Sequence, residues 1–177
     1  VKPATATGFT HVKTAGAIDE YRLQSNGLQV LLMPEHSSPT LTLMVTYRVG
    51  SRNEVTGTTG ATHLLEHLMF KGSKNYNREK GNNVDQILER TGAQYNATTW
   101  TDRTNYYANM GREHLDTVMA LEADRMRHLL LRESDRQPEM TVVRNEFEMG
   151  ENSPNQALYK ELYQTAFVAH PYHHSTI

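Results

Sequence analysis

From Leu41 to Val49 apolar and polar residues alternate, with Leu41, Leu43, Val45, Tyr47 and Val49 on one side, which predicts a half-buried β-strand. Upstream, Glu20 to Gln24 and Leu28 to Pro34 read as two short strands joined by Ser25-Asn26-Gly27, whose Asn-Gly step supplies the positive φ of a hairpin. Downstream the period changes. After a polar, glycine-punctuated loop from Gly50 to Gly60, Leu64, Leu65, Leu68 and Met69 fall at helical spacing and predict a helix over Ala61 to Phe70, stopped by Lys71-Gly72.

Val84, Ile87 and Leu88 predict a short helix over Asn82 to Arg90, closed by Thr91-Gly92. Ala93 to Thr99 and Thr104 to Met110, rich in Thr, Tyr and Trp and separated by Thr101-Asp102-Arg103, read as a second hairpin. Leu115, Val118, Met119, Leu121 and Met126 form the apolar stripe of a long helix over Glu113 to Leu131. Proline is best tolerated in a first helical turn, so Pro138 predicts a new helix over Glu139 to Met149. Asn152-Ser153-Pro154 breaks it, and a last helix follows over Gln156 to Ala169. Strands and helices without strict βαβ alternation predict an α+β fold, a mostly antiparallel sheet covered by helices.

A length of 177 residues suits one domain, with residues 1–19 read as an N-terminal extension and residues 20–177 as the domain. Charged residues make up 21% and the net charge is −2, so neither disorder nor strong attraction to nucleic acid is indicated. The longest apolar stretches, Leu28 to Met33 and Leu41 to Val45, fall far short of the ~18–20 residues of a membrane span. The chain starts at Val1, and Lys2 to Ala17 is rich in Ala, Thr and Gly without periodicity, as expected after removal of a leader or at an engineered start. Together with the absence of cysteine this points towards export.

Without cysteine, any metal must be held by His, Asp or Glu. His63-Leu64-Leu65-Glu66-His67 supplies such a set: on a helix His63 and His67 stack one turn apart and can reach one ion. Glu66 stands about 100° round the helix from His67, placed to face a water beside the metal. H-x-x-E-H is the inverzincin order. Catalytic zinc usually takes three protein ligands, and the candidates for the third are Glu139, Glu146, Glu148 and Glu151. Glu139 and Glu146, seven apart, share a helix face, whereas Glu148 lies about 200° away from Glu146. An acidic helix surface is the ordinary explanation of such glutamates. His170, His173 and His174, beside Pro171 and Tyr172, read as a structural loop cluster, and His11, His36, His114 and His128 are isolated.

His63-Leu-Leu-Glu-His67-Leu-Met-Phe-Lys-Gly, Gln94-Tyr-Asn-Ala-Thr-Thr99 with Asp102 and Thr104-Asn-Tyr-Tyr107, and Glu139-Met-Thr-Val-Val-Arg-Asn-Glu146 resemble, in order, the motifs of the M16 zinc metallopeptidases, the pitrilysin, insulinase and mitochondrial processing peptidase family. The resemblance covers about Tyr21 to His174 and is nearest to bacterial members. It implies a processing-peptidase-like domain in which His63, His67 and Glu146 ligate one Zn2+, Glu66 is the general base and Glu139 is a supporting carboxylate. It further implies that Asn96, Ala97 and Thr98 form a strand edge that receives the peptide or protein substrate. His67 and Glu146 stand a few residues further apart than the family pattern, which suggests an insertion around Arg132 to Gln137.

Active members of the family are similar to two homologous halves or subunits closing over the substrate. The expectation is therefore a partial domain from the N-terminal part of a periplasmic bacterial endopeptidase, needing a second M16-like half for full activity. The alternative is a non-catalytic M16-like subunit, a binding or scaffold component of a larger assembly. The H-x-x-E-H pattern also resembles S-ribosylhomocysteine lyase, but that enzyme's pattern uses a cysteine and this chain has none.

Overall fold

The computed structural model describes residues 6–177; Val1 and the first residues of the aperiodic Lys2 to Ala17 stretch lie outside the described residues. The fold is α+β, with five α-helices and two antiparallel three-stranded sheets among the described residues. The chain divides into two units, residues 1–39 and 40–177.

The first unit is a sheet of β1 (Phe9–Ala15), β2 (Ile18–Leu23) and β3 (Gln29–Leu32), with β2 in the middle. The hairpin read at Asn26-Gly27 is present: Gly27 has φ +76 and Leu28 N–H donates to Asn26 Oδ1 at 3.0 Å. β1 falls where the sequence shows no periodicity. Its alternation is hidden because six of its seven residues are exposed, so one face carries no apolar signature.

The second unit is built on β4 (Thr40–Tyr47), β5 (Gln94–Thr99) and β6 (Thr104–Gly111), in the order β4-β6-β5. β6 pairs with both neighbours, Leu43 opposite Ala108 and Ala97 opposite Tyr106, which leaves β5 at an edge. β4 alternates half-buried and exposed residues as its sequence predicts. A core of Val84, Leu88, Ala108, Met110, Val118 and Leu121 joins α2 (Val84–Arg90) and α3 (Leu115–His128) to the sheet. Asn83 caps α2 by accepting from Gln86 N–H, and Gly92 follows it with φ +65.

Three details of the helices differ from expectation. Met119 and Met126 are exposed, whereas Glu122, Asp124 and Arg125 are buried. The stripe is Val118, Leu121, Glu122 and Arg125, at i, i+3, i+4 and i+7, and the two methionines, seven apart, share a different face. Arg125 is buried because it makes paired hydrogen bonds to Glu122, and its guanidinium carbon lies 4.5 Å from the Tyr106 ring centroid and 5.3 Å from that of Phe70. In α1 (Ala61–Leu68) Leu65 is exposed, while Leu68 and the following Met69 are buried.

The third concerns α4, which runs Glu133–Glu151 with Pro138 inside it rather than at its start. Pro138, the sixth residue of α4, has no N–H to give the Ser134 carbonyl, so its place in the second turn forfeits one intrahelical hydrogen bond. The first turn has its own support: Glu133 accepts from Arg136 at 2.8 and 2.7 Å and from Gln137 at 2.6 Å. Arg132 to Gln137, suggested as a loop insertion, is therefore the cap and first turn of this helix. Ser153 then stands at the N-cap position of α5 (Pro154–Ala166) without a side-chain capping hydrogen bond, and proline takes the first helical position.

Candidate metal centre

α1 carries the two histidines, and what fixes its start lies outside it. Gly60 precedes the helix at φ +90, a conformation glycine adopts without strain. The Glu54 carboxylate accepts from Gly60 N–H at 2.9 Å, Thr62 N–H at 2.8 Å and Thr62 Oγ1 at 2.5 Å, satisfying amides that a helix N-terminus leaves without acceptors. The hairpin turn after β5 is pinned in the same region. Ser51 N–H and Arg52 N–H donate to the Trp100 and Thr101 carbonyls at 3.1 and 2.9 Å, and a Cβ on Gly50 would collide with those carbonyls.

His63 Nε2 and His67 Nε2 stand 3.3 Å apart, and Glu146 Oε2 on α4 lies 3.5 Å from the first and 3.6 Å from the second. A tetrahedral zinc with bonds of about 2.0–2.1 Å separates its ligand atoms by about 3.3–3.4 Å, so the triangle fits that ion. Two imidazoles and one carboxylate also suit zinc's borderline character and leave a coordination position open. These three residues are the one group among the described residues with metal-ligand geometry. Glu148 is exposed, and Glu151 pairs with Lys160 at 2.7 Å.

Glu139 also faces His67, from the other side. Its Oε2 accepts from His67 Nδ1 at 3.1 Å and its Oε1 from Lys71 Nζ at 2.5 Å. A carboxylate only accepts, so Nδ1 carries the proton of this bond, which in a neutral imidazole leaves the Nε2 lone pair facing His63 and Glu146. Burial pushes the Glu139 carboxyl up, but the Lys71 and His67 hydrogen bonds outweigh it and hold the group below its ordinary range. His63 Nδ1 is buried with no partner among the described residues.

Glu66 is buried on the same helix, and Thr99 Oγ1 donates to its Oε2 at 2.6 Å. Asn96, Ala97 and Thr98 border the same cleft of about 650 Å3, with Trp100 and Arg103 at the turn. Lys71 and Thr99 escaped the sequence reading, Lys71 as a presumed helix stop and Thr99 as the last residue of a strand. The only available signal for Thr99 is alternation, which puts it on the same sheet face as buried Ala97. Of the C-terminal histidines, His173 Nδ1 meets the Gln164 carbonyl at 3.2 Å and His170 stacks edge-on with Tyr172, while His174 lines a neighbouring pocket with His63 and Glu146 without joining the ligand triangle.

The model of the family described as Insulinase (Peptidase family M16) matches residues 29–177. The chain belongs to peptidase family M16. Among M16 relatives, the zinc protease PqqE of Helicobacter pylori is 41% identical over 86% of this chain and 34% of its own length. Cytochrome b-c1 complex subunit 1 of Rattus norvegicus is 32% identical over 96% of the chain and 35% of its own length. The crystal structure of a protease from Helicobacter pylori superposes with a TM-score of 0.80 at 39% identity, covering 88% of this chain and 37% of that one. This M16 chain thus spans about a third of the length of the relatives it matches. No helix among its described residues is long and apolar enough to cross a membrane.

Proposed function

We propose that this chain carries the zinc-holding and proton-transferring groups of an M16 endopeptidase. His63, His67 and Glu146 hold one Zn2+, and Glu66 is the general base. The observation that carries this reading is the 3.3–3.6 Å triangle of ligand atoms with Glu66 beside it in one cleft. Zinc in such a site supplies Lewis acidity, bringing the pKa of a coordinated water down towards ~7. Thr99 occupies Oε2 of Glu66, leaving Oε1 to take the proton of the attacking water and pass it to the leaving amine. Glu139 holds the His67 ring in the tautomer and orientation a ligand needs.

The peptide is received at the open edge of β5. Asn96, Ala97 and Thr98 offer backbone donors and acceptors there to an extended chain, which joins the sheet as a further strand. Ala97 N–H meets Asn96 Oδ1 at 2.9 Å, the bond an incoming peptide carbonyl replaces. Relatives about three times as long support a second M16-like half or subunit that closes over the substrate. The chain alone is expected to bind zinc and to hydrolyse peptides poorly.

Zinc per chain, measured by elemental analysis on the wild type and on Glu146→Gln side by side, tests the ligand set. The expected result is about one zinc in the wild type and weakened or lost zinc in the variant; none in either would sink the reading. In the assembly competent for hydrolysis, Glu66→Gln is expected to keep its zinc and lose turnover. The similarity to a subunit of the cytochrome b-c1 complex favours a second reading, a non-catalytic binding subunit. Zinc-loaded assembly that binds peptides and cleaves none of them would select it.

A further inference from the structure

The turn after β5 places two side chains at the rim of the cleft that neither hold metal nor move a proton, Trp100 and Arg103. Trp100 N–H donates to the Arg103 carbonyl at 2.8 Å, closing the turn. Between them, Asp102 is committed elsewhere, to Arg52 Nη1 at 2.8 Å and to the Tyr172 hydroxyl at 2.6 Å. Arg103 itself is half-buried, and its Nη1 donates to Thr98 Oγ1 at 2.8 Å.

No carboxylate among the described residues forms an ion pair with Arg103. Arg52, Arg125, Arg132 and Arg136 each have one; what distinguishes Arg103 from the remaining arginines is that it lines the cleft beside the proposed zinc ligands. It lies in the cleft, with most of its five donors unused and its position fixed by Thr98.

We propose that Arg103 is a specificity residue that binds a carboxylate of the peptide lying along β5. The inference rests on the reading of that edge as the substrate strand. Thr98 and Arg103 belong to the exposed or half-buried positions of the hairpin, while the neighbouring Thr99 and Thr104 point into the protein. A peptide residue paired opposite Thr98 brings its Cβ to about 4.5–5.5 Å from that of Thr98 on the same face of the sheet. From there an Asp or Glu carboxylate reaches the guanidinium that Thr98 holds, and the planar fork accepts it with paired hydrogen bonds. The preference is therefore confined to one register. A terminal carboxylate offers the same chemistry to Arg103 when the peptide ends at that register.

Trp100 makes the test direct, because it is the one tryptophan of the chain and borders the cleft. Octapeptides are titrated into zinc-loaded Glu66→Gln protein, which should not cleave them, and followed by Trp100 fluorescence with calorimetry in parallel. One set is amidated at the C-terminus and carries a single Glu at each position in turn, with Gln counterparts. A second set lacks Glu and keeps a free carboxylate. Binding is expected to be about 3- to 10-fold tighter for Glu than for Gln at one position, with the difference shrinking as salt is raised. Arg103→Gln should erase that preference and leave binding of the Gln peptides unchanged, and Arg103→Lys should retain part of it. A preference only in the free-carboxylate set would assign the site to peptide ends. Equal binding of all peptides, or a preference that survives Arg103→Gln, would overturn the proposal while leaving the substrate strand standing. No binding of any peptide, either to this protein or to the complete assembly with its second half, would overturn both.

Discussion

His67 stands between two carboxylates that do different work, Glu139 on Nδ1 at 3.1 Å and Glu146 near Nε2 at 3.6 Å. Lys71 sharpens the division by taking the other oxygen of Glu139 and holding its carboxylate in the charged form. Removing Glu139 leaves the three proposed ligands in place but frees the His67 ring to turn and to change tautomer. Glu139→Ala is accordingly expected to weaken zinc binding about 10- to 100-fold, read by competition against a chelator. Glu139→Gln, which retains an acceptor for Nδ1–H and loses the charge facing Lys71, should lose less. An unchanged zinc affinity in both variants would remove Glu139 from the site.

Between elements, one buried carboxylate fastens the segment that leaves α1 to the end of α3. Asp124 accepts from Ser73 Oγ at 2.5 Å, Asn75 N–H at 2.9 Å, Asn75 Nδ2 at 2.7 Å and His128 Nδ1 at 3.1 Å. Leu130 N–H to the Gly72 carbonyl and Lys74 N–H to the His128 carbonyl complete the clasp. Burial raises the Asp124 carboxyl, but the hydrogen bonds from Ser73, Asn75 and His128 overcome it, and the net direction is down. A carboxyl with a lowered folded-state pKa contributes stability above its unfolded value, about 4, and loses it as pH falls through the folded one. Asp124→Asn is thus expected to destabilise the protein by about 1–3 kcal/mol near pH 7 in denaturant unfolding, with the gap to wild type narrowing below pH ~4. A gap that stays constant with pH would show that the clasp does not depend on the charge. Nothing in the sequence marks Asp124, which reads as one more polar position on an amphipathic helix; its role exists only because Ser73 and Asn75 are brought to it from 51 and 49 residues away.

In the whole molecule, what could be read in advance is what repeats locally. One helical turn puts His63 beside His67, two turns put Glu139 and Glu146 on one face, and alternation in β4 marks its buried side. Pairings across long stretches of chain leave no such trace. β4 skips both α1 and α2 to pair with β6, Thr40 opposite Gly111, so the division into two sheets was not visible in strands counted along the chain. The proposed zinc site is a long-range connection of the same kind, because α1 supplies two ligands and α4 the third across 79 residues. An ion bound there ties the two helices together in the folded state only, and its binding energy adds to folding stability. At a free zinc concentration of 100 times Kd the gain is about 2.7 kcal/mol, worth about 5–10 °C in melting temperature for a chain of this size. Chelation should lower the melting temperature by that amount, and restoring zinc should recover it. In Glu146→Gln, where α4 no longer contributes a charged ligand, the zinc-dependent shift should shrink towards zero. An equal shift in wild type and variant would place the metal somewhere other than between α1 and α4.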